Sequence, residues 1–127
     1  MRSFQVNGVW LEKILSGEKT IETSGQPIVK AGERIGQVYL RNENGIALGI
    51  AVMGEKFEYK GENHFRSQQS LHRVQKGDEF DFGMRKRTWG FPILSVRRLK
   101  KPFRLKTAND QRRLKPILGR SNGSSAM

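Results

Sequence analysis

No cysteine occurs among the 127 residues of this chain. Disulfides, thiolate nucleophiles and cysteine-based zinc clusters are thereby excluded, so stability must come from packing and strand pairing. Nowhere does an apolar run approach the roughly 18 residues a membrane helix needs, and the first residues lack the charged-then-apolar pattern of a secretory signal. A cytoplasmic protein without a membrane partner is expected. The two histidines, His64 and His72, have no second ligand at i+4, and no metal or other cofactor is expected. The glycines at 32, 36, 45 and 49 lack the lysine-serine ending of a phosphate-binding loop, which removes nucleotide hydrolysis of that type.

Acid is what the last third lacks. Residues 1 to 84 carry 11 Lys and Arg against 11 Asp and Glu, whereas from Arg85 onward there are 13 Lys and Arg against Asp110 alone. The formal net charge of +12 therefore arises wholly in that third. Such segregation attracts polyanions and speeds their encounter while contributing little to the choice of fold. Nucleic acid is the expected partner: single-stranded or structured RNA first, and DNA second because no helix-turn-helix or zinc pattern supplies a groove-reading element. A solubilising surface without a specific partner is the bland alternative.

The densest information lies between Trp10 and Glu22. Apolar residues at 10, 11, 14 and 15 keep one face of a 3.6-residue period, Asn7 is placed to cap the helix start, and Gly17 stands where a left-handed C-terminal residue belongs. Lys19-Thr20-Ile21-Glu22-Thr23 then reads as a short strand. Alternation puts Thr20 and Glu22 on one side and Lys19 and Ile21 on the other, unless a bend or bulge brings Lys19 and Glu22 together. Further strands are expected at Phe4 to Val6, at Ile35 to Arg41, from Ile46 after the Asn44-Gly45 hairpin signal, at Glu79 to Phe82 and at Thr88 to Leu99, the last irregular at Pro92. From Ile46 the bulky Ile46, Leu48, Ile50 and Val52 alternate with Ala47, Gly49 and Ala51. The bulky face reads as core and the small face as room for close approach by a strand, a helix or a flat ligand. Residues 62 to 75 read as a loop with a short helix, anchored by Phe65, Leu71 and Val74. Thr107 is placed to cap a brief basic helix reaching Lys115, and Ser121 to Met127 read as disordered.

Tryptophan, isoleucine and then Gly-x-Lys-Thr-x-Glu, which here are Trp10, Ile14 and Gly17 to Glu22, resemble the signature of the ASCH domain family in the PUA-like superfamily. Gly36 to Met53 is similar to that family's central hairpin, and Trp89 to Phe103 to its closing aromatic-rich strand. The resemblance implies a mainly β (α+β) fold: a small PUA-like β-barrel of five or six strands with one or two short helices over residues 1–106. A basic short helix and disordered tail follow over residues 107–127. It also implies an RNA or RNA-modification context, with some members acting as enzymes on nucleosides or RNA. One set of amidohydrolases in the family deacetylates a modified cytidine with a lysine matched by Lys19, a threonine three residues on, and a later glutamate. Here Glu22 takes the threonine's place, and Glu55, Glu58, Glu62 and Glu79 are the candidates for the later carboxylate. Family members often carry an arginine two residues after the motif glutamate, where this chain has Ser24.

The candidate site follows from these residues. Lys19 and Glu22 can serve as nucleophile or proton shuttle and general base, with Thr20 as donor to a developing oxyanion. A structural ion pair closing the barrel beside the helix is the competing reading of Lys19 and Glu22. For nucleic-acid binding the candidates are Trp10, Lys19 and Glu22 in a cleft beside the first helix, Arg85, Lys86, Arg87 and Trp89, and the cations Arg97, Arg98, Lys100 and Lys101. The expected function is RNA binding with one unstacked nucleotide in that cleft. The alternative is a hydrolase, either an amidohydrolase on an N4-acylated cytidine or a ribonuclease.

Overall fold

The structure, a computed structural model, describes residues 1–106 together with the backbone of residues 113 and 114. In chain order the elements are β1 (Ser3–Gln5), α1 (Gly8–Leu15), β2 (Ile21–Ser24), β3 (Arg34–Arg41), β4 (Ile46–Glu55), β5 (Phe57–Glu58), α2 (Glu62–Ser67), α3 (Gln69–His72), β6 (Trp89–Arg104) and β7 (Arg113–Leu114). The strands run β2-β6-β4-β3-β1-β7, with β5 beside β6, and curl into a half-barrel. The fold is therefore mainly β with short helices, as the resemblance implied. Among the described residues no helix is long and apolar enough to cross a membrane.

Strand β6 holds the half-barrel together. Its first part pairs with β2 and β5, and its remainder with β4. The register slips where Val52 faces Ser95 but Met53 faces Ile93, so Leu94, two residues after Pro92, is left over. An extra residue of this kind bends and twists a strand, which lets one strand serve both curved halves.

The two faces of β4 are reversed relative to the expectation. Ala47, Gly49, Ala51 and Met53 are buried, while Ile46, Leu48, Ile50 and Val52 are half-buried. The small residues form the inner face because α1 lies against it through Leu11, Ile14 and Leu15. A Cβ on Gly49 would lie 2.5 Å from Leu15 Cδ2 and 2.9 Å from the Arg97 carbonyl oxygen. One of those neighbours is backbone and cannot yield cheaply. Gly49→Val is accordingly expected to lower stability by about 1–3 kcal/mol or more through overpacking, read as a lower urea midpoint. An unchanged midpoint would mean that the helix does not seat on this glycine.

A second, smaller core joins Tyr59, Phe65 and Val74 to Trp10, Phe57, Phe80 and Phe82. His72 belongs to it: Nε2 donates to the Phe65 carbonyl at 2.8 Å, Nδ1 accepts from the Val74 amide at 2.9 Å, and the ring stacks on Phe65. Burial pushes its pKa down, consistent with a neutral imidazole protonated at Nε2. Phe65 and Val74 are the anchors foreseen for this region, whereas Leu71 is 40% exposed.

Residues 79–82 do not form the expected strand. The Asp81 carboxylate accepts from the amides of Gly77 and Phe82 and from both terminal nitrogens of Arg66. Those contacts hold its pKa well below the usual carboxylate range. An aspartate that gathers local amides folds the backbone into turns and removes the donors a ladder would need. Arg113 and Leu114 likewise lie in a strand, parallel to β1 opposite Ser3 and Phe4, and not in the expected basic helix. Without that pairing the outer edge of β1 would present unpaired backbone groups, which draw a passing chain into the sheet. The rest of that helix and the expected disorder of Ser121 to Met127 lie outside the described residues.

Candidate functional site

The chain leaves α1 through a tight turn. Gly17 takes φ +86°, its amide donates to the Ile14 carbonyl, and the Lys19 amide returns to the Lys13 carbonyl at 2.9 Å. This is the local logic of a helix C-terminus, in which a left-handed residue lets orphan carbonyls find donors. Because β2 begins at Ile21, Lys19 precedes it and escapes strand alternation. Its side chain turns inward beside that of Glu22, and Lys19 Nζ stands 3.4 Å from Glu22 Oε1. The amine also donates to the His72 carbonyl and lies 4.7 Å from the centre of the Trp10 ring.

Lys19 is 1% exposed and Glu22 8%. Burial pushes the Lys19 amine down and the Glu22 carboxyl up, while their mutual attraction opposes both movements. The pair borders a cavity of about 700 Å³ that also touches Trp10, Phe80, Arg85 and Lys86. Phe80 meets Trp10 edge-on at 6.3 Å. Thr23 and Ser24 line the cavity but Thr20 does not, and the Thr20 backbone is held by Leu71 and Ile93.

The other candidates divide. Trp10, Arg85 and Lys86 join the cavity, and Ser24 lines it at the position where the family often carries arginine. Arg87 turns away to Glu58, with contacts of 2.7 and 2.9 Å. Trp89 does not line the cavity, and two cations already lie against its ring: Arg87 at 4.7 Å and Lys56 at 5.2 Å. Arg98 pairs with Glu12 of α1 at 3.2 Å, while Arg97, Lys100 and Lys101 are exposed along β6. Of the four later glutamates, Glu79 lines the cavity, whereas Glu58 is paired with Arg87 and Glu62 with Arg66.

Two cavity residues carried a weak signal in the sequence. Asn7 makes no side-chain cap to α1 and lines the cavity instead, and Phe80 was hidden in a segment that reads as strand. No group of three or more histidine, cysteine or acidic side chains suited to a metal ion occurs among the described residues.

No protein-family model matches the sequence, and no curated protein matches it. Solved structures do. The ASCH protein of Zymomonas mobilis superimposes with a TM-score of 0.65 at 11% identity, over 81% of this chain and 72% of that one. A single-substitution variant of that protein gives 0.63 at 14% identity, over 81% and 74%. A second variant gives 0.61 at 13%, over 80% and 72%. Identities this low speak for shared architecture alone: the half-barrel built around β6, with α1 seated on its inner face, is an ASCH-like fold.

Proposed function

We propose that this chain binds RNA and holds one unstacked nucleotide in the cavity beside α1, while the cations of β6 meet neighbouring phosphates. The observation that carries this reading is the buried Lys19 and Glu22 pair on the wall of a cavity of about 700 Å³, with Trp10 and Phe80 beside it. That volume lies within the roughly 300–1,000 Å³ typical of small-molecule sites. An aromatic wall can cover the face of a base, and a fixed carboxylate can accept from an exocyclic amine on its edge.

The hydrolase reading has two observations in its favour. Burial loosens the hold of Lys19 on its proton, and Glu79 lines the same cavity. Against it, the ammonium donates to the His72 carbonyl, pairs with the Glu22 carboxylate at 3.4 Å and lies 4.7 Å from the centre of the Trp10 ring. An amine used in this way positions the carboxylate and presents no lone pair to a substrate. Binding is therefore the better-supported function.

Incubation with labelled single-stranded RNA and with N4-acetylcytidine tests the choice. The expected result is a salt-sensitive mobility shift with both molecules left intact. Deacetylation or RNA cleavage that disappears in a folded Lys19→Ala variant would transfer the assignment to the hydrolase.

A further inference from the structure

Arg85 is held in place from three sides. Its stem fills the space that Gly25 leaves: a Cβ there would lie 2.6 Å from Arg85 Cδ, 3.5 Å from Cγ and 3.6 Å from Cβ. Its guanidinium lies 5.1 Å from the centre of the Phe80 ring, and Nη2 donates to the Phe80 carbonyl at 3.3 Å. The side chain is half-buried and borders the cavity.

Four other arginines of the fold have carboxylate partners: Arg2 has Glu33, Arg66 has Asp81, Arg87 has Glu58 and Arg98 has Glu12. Among the described residues no carboxylate pairs with Arg85, and Glu22 and Asp78 attract it from longer range. Partial burial lowers its proton affinity, as expected for a cation that has lost some of its water and has no carboxylate at contact distance. Stacking on Phe80 offsets part of that cost. It leaves most of the five guanidinium donors unspent, in the planar fork that suits two phosphate oxygens.

We propose that Arg85 is the phosphate receptor of this cavity, so that the ligand it takes is a phosphorylated nucleotide and not a bare nucleoside or base. This rests on the nucleotide-binding reading above and adds to it the class of ligand. The charge layout supports it: Glu22 offers an acceptor to the base, while Arg85 and Lys86 add positive charge to the lining of the same cavity. A nucleotide carries matching groups, a donor-bearing base edge and an anion, on one rigid unit. An uncharged nucleoside would leave Arg85 without an anion at contact distance.

Calorimetric titration of the full chain with the four ribonucleoside 5′-monophosphates and the four nucleosides, at one ionic strength, tests this. The best-bound nucleotide is expected to bind about 10- to 100-fold more tightly than its nucleoside. Arg85→Gln should bring that ratio close to one. Gly25→Ala keeps every charge but drives a methyl group into the arginine stem, and it should lower the ratio as well. That variant separates a placed guanidinium from mere positive charge, and thermal melts confirm that each variant is folded. Equal binding of nucleoside and nucleotide, or a ratio that survives Arg85→Gln, overturns the role of Arg85 and leaves the cavity reading intact. Binding of neither class overturns both.

Discussion

Lys19→Met is expected to lower the free energy of unfolding by about 3–5 kcal/mol at pH 8, the usual cost of stranding one member of a buried ion pair, and by less at pH 5. The substitution keeps the volume of the stem but leaves Glu22 without its partner at 3.4 Å and the His72 carbonyl without its donor. Glu22 is already pushed above its ordinary value of 4.5 by burial, with Lys19 as the main opposing influence. Removing Lys19 raises it further. Between 4.5 and the raised value the folded state then binds a proton that the unfolded state does not. The contribution of Glu22 is therefore fully present below 4.5 and is lost as pH rises through the folded value. Urea unfolding at the two pH values reads this directly, and a loss equal at both would mean that Glu22 is not the stranded charge. The double variant Lys19→Met with Glu22→Leu should recover most of the stability, because two apolar side chains replace the pair without an orphaned carboxylate. It should not recover RNA binding, which separates the structural role of the pair from its recognition role.

What could be read from the sequence was what local chemistry dictates. The apolar stripe of α1 and the left-handed Gly17 depend on neighbours within one turn, and both stand where the spacing puts them. The meeting of Lys19 with Glu22 depends on the register at which the chain enters β2. Alternation within one strand gives the opposite answer, and the bend that reverses it comes from a hydrogen bond back to Lys13. The faces of β4 were misjudged for a similar reason. Bulk normally marks the core, but a helix packed this close to a sheet needs room, and Gly49 supplies it against Leu15. Phe80 was obscured because Asp81 spends its oxygens on Gly77, Phe82 and Arg66, partners that a linear pattern does not reveal. Arg85 was visible as part of a basic run. That it enters the cavity while Arg87, two residues on, does not is a consequence of where Gly25 and Glu58 lie in space.

Replacing Arg97, Lys100 and Lys101 together by glutamine is expected to weaken binding of every single-stranded RNA by about two orders of magnitude at 50 mM salt, and to reduce the slope of log affinity against log salt by ~2. The reason is counter-ion release: each phosphate neutralised on a single strand contributes about 0.7 to that slope. These three side chains are exposed, and none of them forms an ion pair with a carboxylate among the described residues. They lie on the strand that also carries Phe103, which is 41% exposed and edge-on to Tyr39 at 5.2 Å, so an aromatic surface adjoins the cations. Arg87 and Arg98 provide the contrast. Each already has a carboxylate, Glu58 or Glu12, and a cation that must first leave its partner gains little from a phosphate. Arg87→Gln with Arg98→Gln should therefore change the slope far less than the triple substitution, although both variants lower the net charge. Filter binding across a salt series measures the two slopes. Slope reductions in proportion to the charges removed, two to three, would show that net charge and not the placing of cations on β6 governs affinity, and an unchanged slope in the triple variant would move the phosphate path away from this strand.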